Sequence, residues 1–377
     1  MKLKLNTADF QNMVAKATKG SSGNTNLYIT QLMAIELQNN TLVLTTTDGS
    51  NYLYIKREKV SGDDFYAVVP VEKFSKLISK LTCDEVTLEL HESSKKELDT
   101  LIIHGNGKYV IELPYDEDGE LVEFPDPMSD VDSSTYEATQ VKNAVIQMML
   151  NTAKPSLMIG TKAPQYTGYY VGKSIVATDT YRICSIDVPT LDTPMILPAE
   201  FVDLLDVITD EEIEVNYNSE AILMHTPEIT VFGRPVEGIE NYKIDAISAV
   251  VDQPYPSSCT VEKSALLQLL DRLSLFVDTY DKNSVYLTFT KSGLEVSNKR
   301  DKGSELIPYV ESTDFEDFTC CIDINMFKSQ VKAYQSDNIE ILYGQESRIK
   351  FVDGNIRQIL ALAKDDRFES DEEGEDE

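Results

Sequence analysis

Tryptophan is absent from the 377 residues, and histidine occurs only three times, at His91, His104 and His225. None of the three has a Ser, Cys or acidic partner at a spacing used for nucleophilic or general acid–base chemistry. The five cysteines, Cys83, Cys184, Cys259, Cys320 and Cys321, are odd in number and contain no CxxC pair. That argues against a zinc site and a disulfide framework and points to a reducing, cytoplasmic setting. The adjacent Cys320 and Cys321 sit in an apolar strand and read as small core residues. No Gly-rich phosphate loop runs into Lys-Ser or Lys-Thr, and there is no HExxH and no EF-hand loop. The acid-rich Asp278-Thr279-Tyr280-Asp281 is too short for a metal site, so no metal, cofactor or catalytic residue is expected. No apolar run approaches transmembrane length, and Met1-Lys2-Leu3-Lys4-Leu5-Asn6 lacks a signal-peptide core, so no membrane partner is expected.

Positive charge is also scarce: 34 Lys and Arg stand against 64 Asp and Glu, for a net charge of −30. Spread evenly, such a charge would repel nucleic acid, because gripping phosphates directly requires a basic surface. The distribution is uneven. Seven acids and no base fall in the last nine residues, Glu369 to Glu377, which read as a disordered acidic tail.

What is present is a long-period repeat. Val69-Pro70-Val71-Glu72-Lys73-Phe74, Leu197-Pro198-Ala199-Glu200-Phe201-Val202 and Ile322-Asp323-Ile324-Asn325-Met326-Phe327 each precede a helical run. Each run is followed by an acidic turn and an alternating strand: Asp84 to Leu90, Glu211 to Tyr217 and Asp337 to Tyr343. Pro70 and Pro198 lie 128 residues apart, and Pro198 and Asp323 lie 125 apart. A period of that length means three copies of a domain rather than a solenoid. The expected division is 1–130, 131–255 and 256–368, followed by the tail at 369–377.

Each third divides again into two half-units with a β-α-β-β-β plan, giving an α+β fold with antiparallel sheets. Amphipathic periodicity places helices over 7–19, 71–82, 136–154, 198–208, 261–276 and 323–334. These windows hold eleven bases against nine acids, a slight positive excess in a strongly acidic chain. The bases are Lys16, Lys19, Lys73, Lys76, Lys80, Lys142, Lys154, Lys263, Arg272, Lys328 and Lys332. An ordinary solvated, Lys-rich helix face explains the same excess. The fourth window, with Glu200, Asp203 and Asp206 and no base, runs against the pattern. Two strands are interrupted by a Thr-Asp pair, Thr47-Asp48 and Thr178-Asp179, where the Asp side chain can hold a turn through backbone amides.

Taken in order, these pieces resemble the bacterial-type beta sliding clamp of the replicative DNA polymerase, over residues 1 to about 364. The most specific local match is Ala177-Thr178-Asp179-Thr180-Tyr181-Arg182, where the family usually has Ala-Thr-Asp-Gly-His-Arg. Arg234-Pro235-Val236-Glu237-Gly238 followed by Tyr242 resembles a second family signature. The resemblance implies three clamp domains per chain and a head-to-tail homodimer closing as a ring around double-stranded DNA. It further implies a tether for the replicative polymerase, with a pocket that takes short peptides from the polymerase, the clamp loader and repair proteins. These bases become channel candidates. The dimer contact falls on Tyr109, Ile111, Leu275 and Phe276, four residues that an ordinary core would also explain.

Carried over position by position, the peptide pocket comprises Tyr166, Thr178, Thr180, Tyr181, Arg182, Ile183, Ile239 and Glu240, and Ile359, Leu360, Ala361, Leu362 and Lys364. Here the family's Gly-His is Thr180-Tyr181 and its Phe-Pro is Ile239-Glu240, so an altered peptide preference is expected. An acidic scaffold or a DNA-mimicking inhibitor built on the same repeat, or a three-domain metabolic enzyme, remain as alternatives. Such a scaffold or inhibitor would be a monomer; a clamp would be a dimer retained on circular DNA.

Overall fold

The computed structural model describes residues 1–22, 26–91, 99–160, 162–277, 283–299, 302–313 and 317–364. The acidic segment 369–377 and the stretch Asp278–Asp281 lie outside the described residues.

The first third runs β1 (Lys2–Asn6), α1 (Thr7–Ala17), β2 (Leu32–Gln38), β3 (Thr41–Thr47), β4 (Tyr52–Glu58), β5 (Phe65–Pro70), α2 (Val71–Ile78), β6 (Glu85–His91), β7 (Thr100–His104) and β8 (Lys108–Glu112). The second has the same plan: β9 (Glu137–Lys142), α3 (Asn143–Met148), β10 (Gly168–Val171), β11 (Ile175–Thr178), β12 (Arg182–Ile186), β13 (Met195–Pro198), α4 (Ala199–Leu204), β14 (Glu212–Tyr217), β15 (Ile222–His225) and β16 (Ile229–Gly233). A linker helix, α5 (Ile244–Val251), precedes the third: β17 (Ser257–Glu262), α6 (Lys263–Leu273), β18 (Ser284–Thr290), β19 (Gly293–Asn298), β20 (Ser304–Ile307), the short β21 (Glu311–Thr313), β22 (Phe318–Asp323), α7 (Ile324–Ala333), β23 (Asn338–Tyr343), β24 (Arg348–Asp353) and β25 (Ile356–Ala361).

Met1–Ile146 with Glu200–Pro235 forms one compact unit, and Gln147–Ala199 with the chain from Val236 onward forms another. The first unit holds an eight-stranded antiparallel sheet, β5-β2-β3-β4-β16-β15-β14-β9, and a four-stranded sheet, β1-β6-β7-β8. The second holds a nine-stranded sheet, β13-β10-β11-β12-β25-β24-β23-β17-β21, and a four-stranded sheet, β20-β19-β18-β22. One rule generates both large sheets. The fourth strand of one third, β4 or β12, pairs antiparallel with the last strand of the next, β16 or β25.

The helices form where an apolar stripe meets a competent cap. In α1 the stripe is Phe10, Met13, Val14 and Ala17, and the Asn6 side chain caps the first turn by accepting from the Asp9 amide. In α7 Asp323 accepts from the amides of Asn325 and Met326, and Ile324, Phe327 and Val331 turn inward. Pro70 and Pro198 close β5 and β13, edge strands that lose no ladder bond to the missing N–H, and each hands the chain directly to a helix. Phe10 meets Phe74 edge-on across α1 and α2, with ring centroids 6.1 Å apart. In the second unit Phe289 stacks on Tyr343 at 3.9 Å within the core that also holds Leu266, Leu270, Phe327 and Phe351.

Two helix expectations change, and one helix is unexpected. The window 136–154 opens as a strand, because Glu137-Ala-Thr-Gln-Val-Lys142 alternates and adds to β14 with Val141 opposite Ile213. Its helix begins only at Asn143 and loosens into a π turn over Met149–Ala153. Val261 and Glu262 likewise belong to β17 rather than to α6. The sequence reading missed α5, although Ile244, Ile247 and Val251 follow helical spacing.

Candidate partner pocket and basic helix faces

The turn joining β11 to β12 is built almost entirely from side-chain to backbone bonds. Thr178 Oγ1 donates to the Arg182 carbonyl at 2.7 Å and accepts from the Thr180 amide at 3.1 Å. Asp179 Oδ1 accepts from the amides of Tyr181 and Arg182 at 3.0 and 2.6 Å. The turn joining β3 to β4 repeats this network atom for atom. Thr47 Oγ1 donates to the Asn51 carbonyl and accepts from the Gly49 amide, while Asp48 Oδ1 accepts from the amides of Ser50 and Asn51. The two acids are turn anchors. Asp179 Oδ2 also receives the Arg182 guanidinium, at 2.8 Å from Nε, and Arg182 Nη1 reaches Ser329 Oγ at 2.8 Å. Both side chains are nearly enclosed, at 11% and 15% exposure.

Thr180 sits at φ +78°, where the first turn has Gly49 at +103°. A β-branched side chain in the left-handed region is strained. Thr180→Gly is therefore expected to raise stability by about 0.5–1 kcal/mol, the relief of strain exceeding the added freedom of the unfolded chain. Chemical denaturation checks it; an unchanged or lower midpoint contradicts it.

Beside this turn the outer face of β10, β11 and β12 carries an aromatic and aliphatic patch. Tyr242 is buried, its hydroxyl donates to the Val176 carbonyl at 3.1 Å, and burial pushes its ionisation far above the usual tyrosine range. Tyr166 and Tyr170 each lie 5.1 Å from the Tyr242 ring, and Ile183, Ile239 and Ile244 pack around them, half exposed. Gly238, at φ +88°, supplies the left-handed position that turns the chain into the Ile239–Asn241 helical turn. At the rim Tyr181 is 62% exposed, Glu240 is exposed and accepts from Asn241, and the Ala361 amide donates to the Tyr181 carbonyl at 2.8 Å. Ala361 and Leu362 are half-buried and Lys364 is exposed.

Three residues of the carried-over pocket have enclosed side chains. Thr178 and Ile359 are buried, and Leu360, fully enclosed, packs in the core with Phe327 and Val331. Strand alternation decides this: Ile359 is opposite Ile183 on the outer face, so Leu360 points to the helices. Leu360 is therefore a core residue rather than a wall of the patch. Tyr170, Ile244 and Ser329 join the site without having been expected there; the spacing of Ile244 and Ile247 was the available signal for the α5 residues.

The channel candidates differ in exposure and in the contacts they make. Lys19, Lys73, Lys80, Lys142, Lys154 and Lys332 are exposed, and Lys16 is half-buried. Lys76 pairs with Glu72 one turn earlier on α2. Lys263 Nζ donates to the Tyr334 carbonyl, Lys328 pairs with Asp271, and Arg272 makes a two-point contact with Glu305 at 2.8 and 2.6 Å. The Lys328 ammonium holds the Asp271 carboxyl below its ordinary range, and Arg272 does the same to Glu305. Such exposed pairs contribute little to stability.

The two four-stranded sheets leave edges. In β8, Tyr109 and Val110 are exposed at 37% and 49%, but Ile111 is 1% exposed and belongs to the core. Ile111 is opposite Leu101 in β7, and both side chains face inward. After α6, Leu275 and Phe276 stand out at 80% and 53% exposure. Val110, rather than Ile111, is the apolar neighbour that Tyr109 presents to solvent.

No group of three or more His, Cys, Asp or Glu suited to a metal occurs among the described residues, and none of their helices is long and apolar enough to cross a membrane. No family model matches the sequence, and no curated protein matches it. Solved structures do match. The beta subunit from the DNA polymerase of Streptococcus pyogenes is 17% identical, with 97% of this chain and 100% of that one covered at a TM-score of 0.84. The DNA polymerase sliding clamp from Bacillus subtilis is 18% identical, with 97% and 99% covered at 0.82. The DNA polymerase III subunit beta from Pseudomonas aeruginosa is 12% identical, with 97% and 100% covered at 0.78. The chain therefore has the α+β fold of the DNA polymerase sliding clamps, in three tandem copies of a domain with two repeat helices and antiparallel sheets.

Proposed function

We propose that the chain is a DNA sliding clamp: a non-enzymatic, head-to-tail homodimeric ring that encircles duplex DNA and tethers the replicative polymerase. The observation that carries this is the strand-pairing rule of the two large sheets. The fourth strand of a third pairs with the last strand of the following third, twice within the chain. Among the described residues, β20 and β8 are the edges left at the two places where the rule has no partner within the chain. Pairing β20 of one copy with β8 of a second satisfies both edges, and two such contacts close a ring. Tyr109, Val110, Leu275 and Phe276 supply apolar surface for that contact.

In this reading the exposed Lys19, Lys73, Lys80, Lys142, Lys154 and Lys332 give weak, sequence-independent contacts to phosphates, and the acidic remainder repels the duplex from other surfaces. The patch of Tyr166, Tyr170, Ile183 and Ile239, beside Tyr181 and Arg182, receives apolar anchors of a peptide from the polymerase, the clamp loader or repair proteins. Because Arg182 is already held by Asp179 and Ser329, it positions the turn instead of reaching for the peptide. Sedimentation equilibrium at micromolar concentration tests the assembly. The expected species has twice the 42.3 kDa chain mass; a monomer would contradict the ring.

A further inference from the structure

The two large sheets expose corresponding clefts on their outer faces, and these have diverged in a way that indicates a missing occupant. In the first unit Thr45 is opposite Tyr54, and Tyr54 is opposite Thr230. In the second, the same places hold Val176 opposite Ser185, and Ser185 opposite Arg357. Over the second cleft lies α5, with Ile247 and Val251 buried against Val176 and Ile244 packed beside them. Lys350 Nζ finishes that contact by donating to the Val251 carbonyl at 2.6 Å, where the helix ends.

Among the described residues, the first unit has no such helix. Its segment from Val122 to Val131 crosses beside the cleft, with Phe124 against Tyr52 and the Phe124 amide donating to the Tyr66 hydroxyl. What remains open is a groove of about 530 Å³ lined by Val43, Tyr54, Tyr66, Phe124, Met128 and Leu223. Leu223 is opposite Phe232 as Lys350 is opposite Ile359, so the position that caps α5 in one unit is apolar in the other. The Tyr54 hydroxyl lies in the wall, buried and without a partner among the described residues. A buried donor left unmade is unfavourable, and a bound group can satisfy it. At the rim Glu36 and Asp126 are exposed and take no ion pair among the described residues, while Lys56 is engaged by Glu58.

We propose that this groove docks a short amphipathic helix of a partner protein. The helix carries branched aliphatic residues at i, i+3 and i+7, the spacing of Ile244, Ile247 and Val251, and basic residues on its flanks to meet Glu36 and Asp126. A carbonyl near its end accepts from the Tyr54 hydroxyl, in the role that Lys350 has toward α5. This site is separate from the Tyr166–Ile239 patch and does not depend on ring closure.

The test uses the full chain and a fluorescein-labelled peptide of residues 243–253 bearing Asp245→Lys, Ser248→Lys and Asp252→Lys. Fluorescence anisotropy is expected to show saturable binding at least tenfold tighter than to a peptide of the same composition with the aliphatic residues moved off one face. Leu223→Lys is expected to weaken binding at least tenfold. Tyr54→Phe is expected to weaken it about three- to tenfold without lowering the melting temperature, which keeps the test decisive should Leu223→Lys fold poorly. Tyr166→Ala is expected to leave binding unchanged. Equal binding of the two peptides, or full binding by Tyr54→Phe, would overturn the proposal. So would loss of binding in Tyr166→Ala, or a change in oligomer mass with Leu223→Lys, which would assign the groove to a second copy of this chain.

Discussion

Replacing Leu275 and Phe276 together by Asp is expected to convert the proposed homodimer to monomer, with at least a thousandfold weaker association. Both side chains project from the turn after α6 at 80% and 53% exposure, so the folded chain loses little when they change. Burying a large apolar side chain in an interface contributes about 1.5–3 kcal/mol. Two such losses, together with two carboxylates that would be desolvated on pairing, exceed the roughly 4 kcal/mol that corresponds to a thousandfold change. The melting temperature at low protein concentration should fall by only a few degrees, since both side chains are more than half exposed. Sedimentation velocity reads the outcome. A dimer that survives the double change would place the subunit contact elsewhere.

The second large effect is expected at Asp179. It accepts two backbone amides and faces the Arg182 guanidinium in a nearly enclosed turn. Asp179→Ala removes all three interactions and leaves a mostly buried guanidinium with only Ser329, an arrangement that costs about 3 kcal/mol. For a cooperative unit of this size that corresponds to a melting temperature lower by roughly 6–12 °C. Asp179→Asn should fall between the two, because an amide oxygen can still accept from Tyr181 and Arg182. Asp179→Ala with Arg182→Ala should be less destabilising than the sum of the single changes, since the stranded charge is gone. Additivity in calorimetry would show that the pair is not coupled.

The repeat was legible because its markers are local. Pro70 and Pro198, the apolar stripe that follows, and the acidic turn before an alternating strand all act within about twenty residues, where periodicity and capping decide structure. The Thr-Asp turns were legible for the same reason, and their hydrogen bonds match between copies. What failed was non-local. Glu137 to Lys142 has helix-compatible residues and becomes a strand because β14 offers an unpaired edge. Ile111 and Leu360 were placed in the contact surface and the pocket, yet each faces a core, because the burial of a strand residue follows a two-residue alternation set by its neighbours. The linker helix α5 is only eight residues long, and packing on the sheet rather than its own propensity holds it. The pairing of β4 with β16 joins residues more than 150 positions apart, and no local pattern reports it.

Retention on circular DNA tests the central claim most directly. Chains diluted until dissociated are allowed to reassemble in the presence of a nicked circular plasmid, then separated from free protein by gel filtration in moderate salt. The sliding-clamp reading predicts that the protein elutes with the circle and leaves it when a restriction enzyme linearises the plasmid, because a ring slides off free ends while its phosphate contacts are too weak to hold it. Protein that stays bound after linearisation, or that never co-elutes with the circle, would contradict the account.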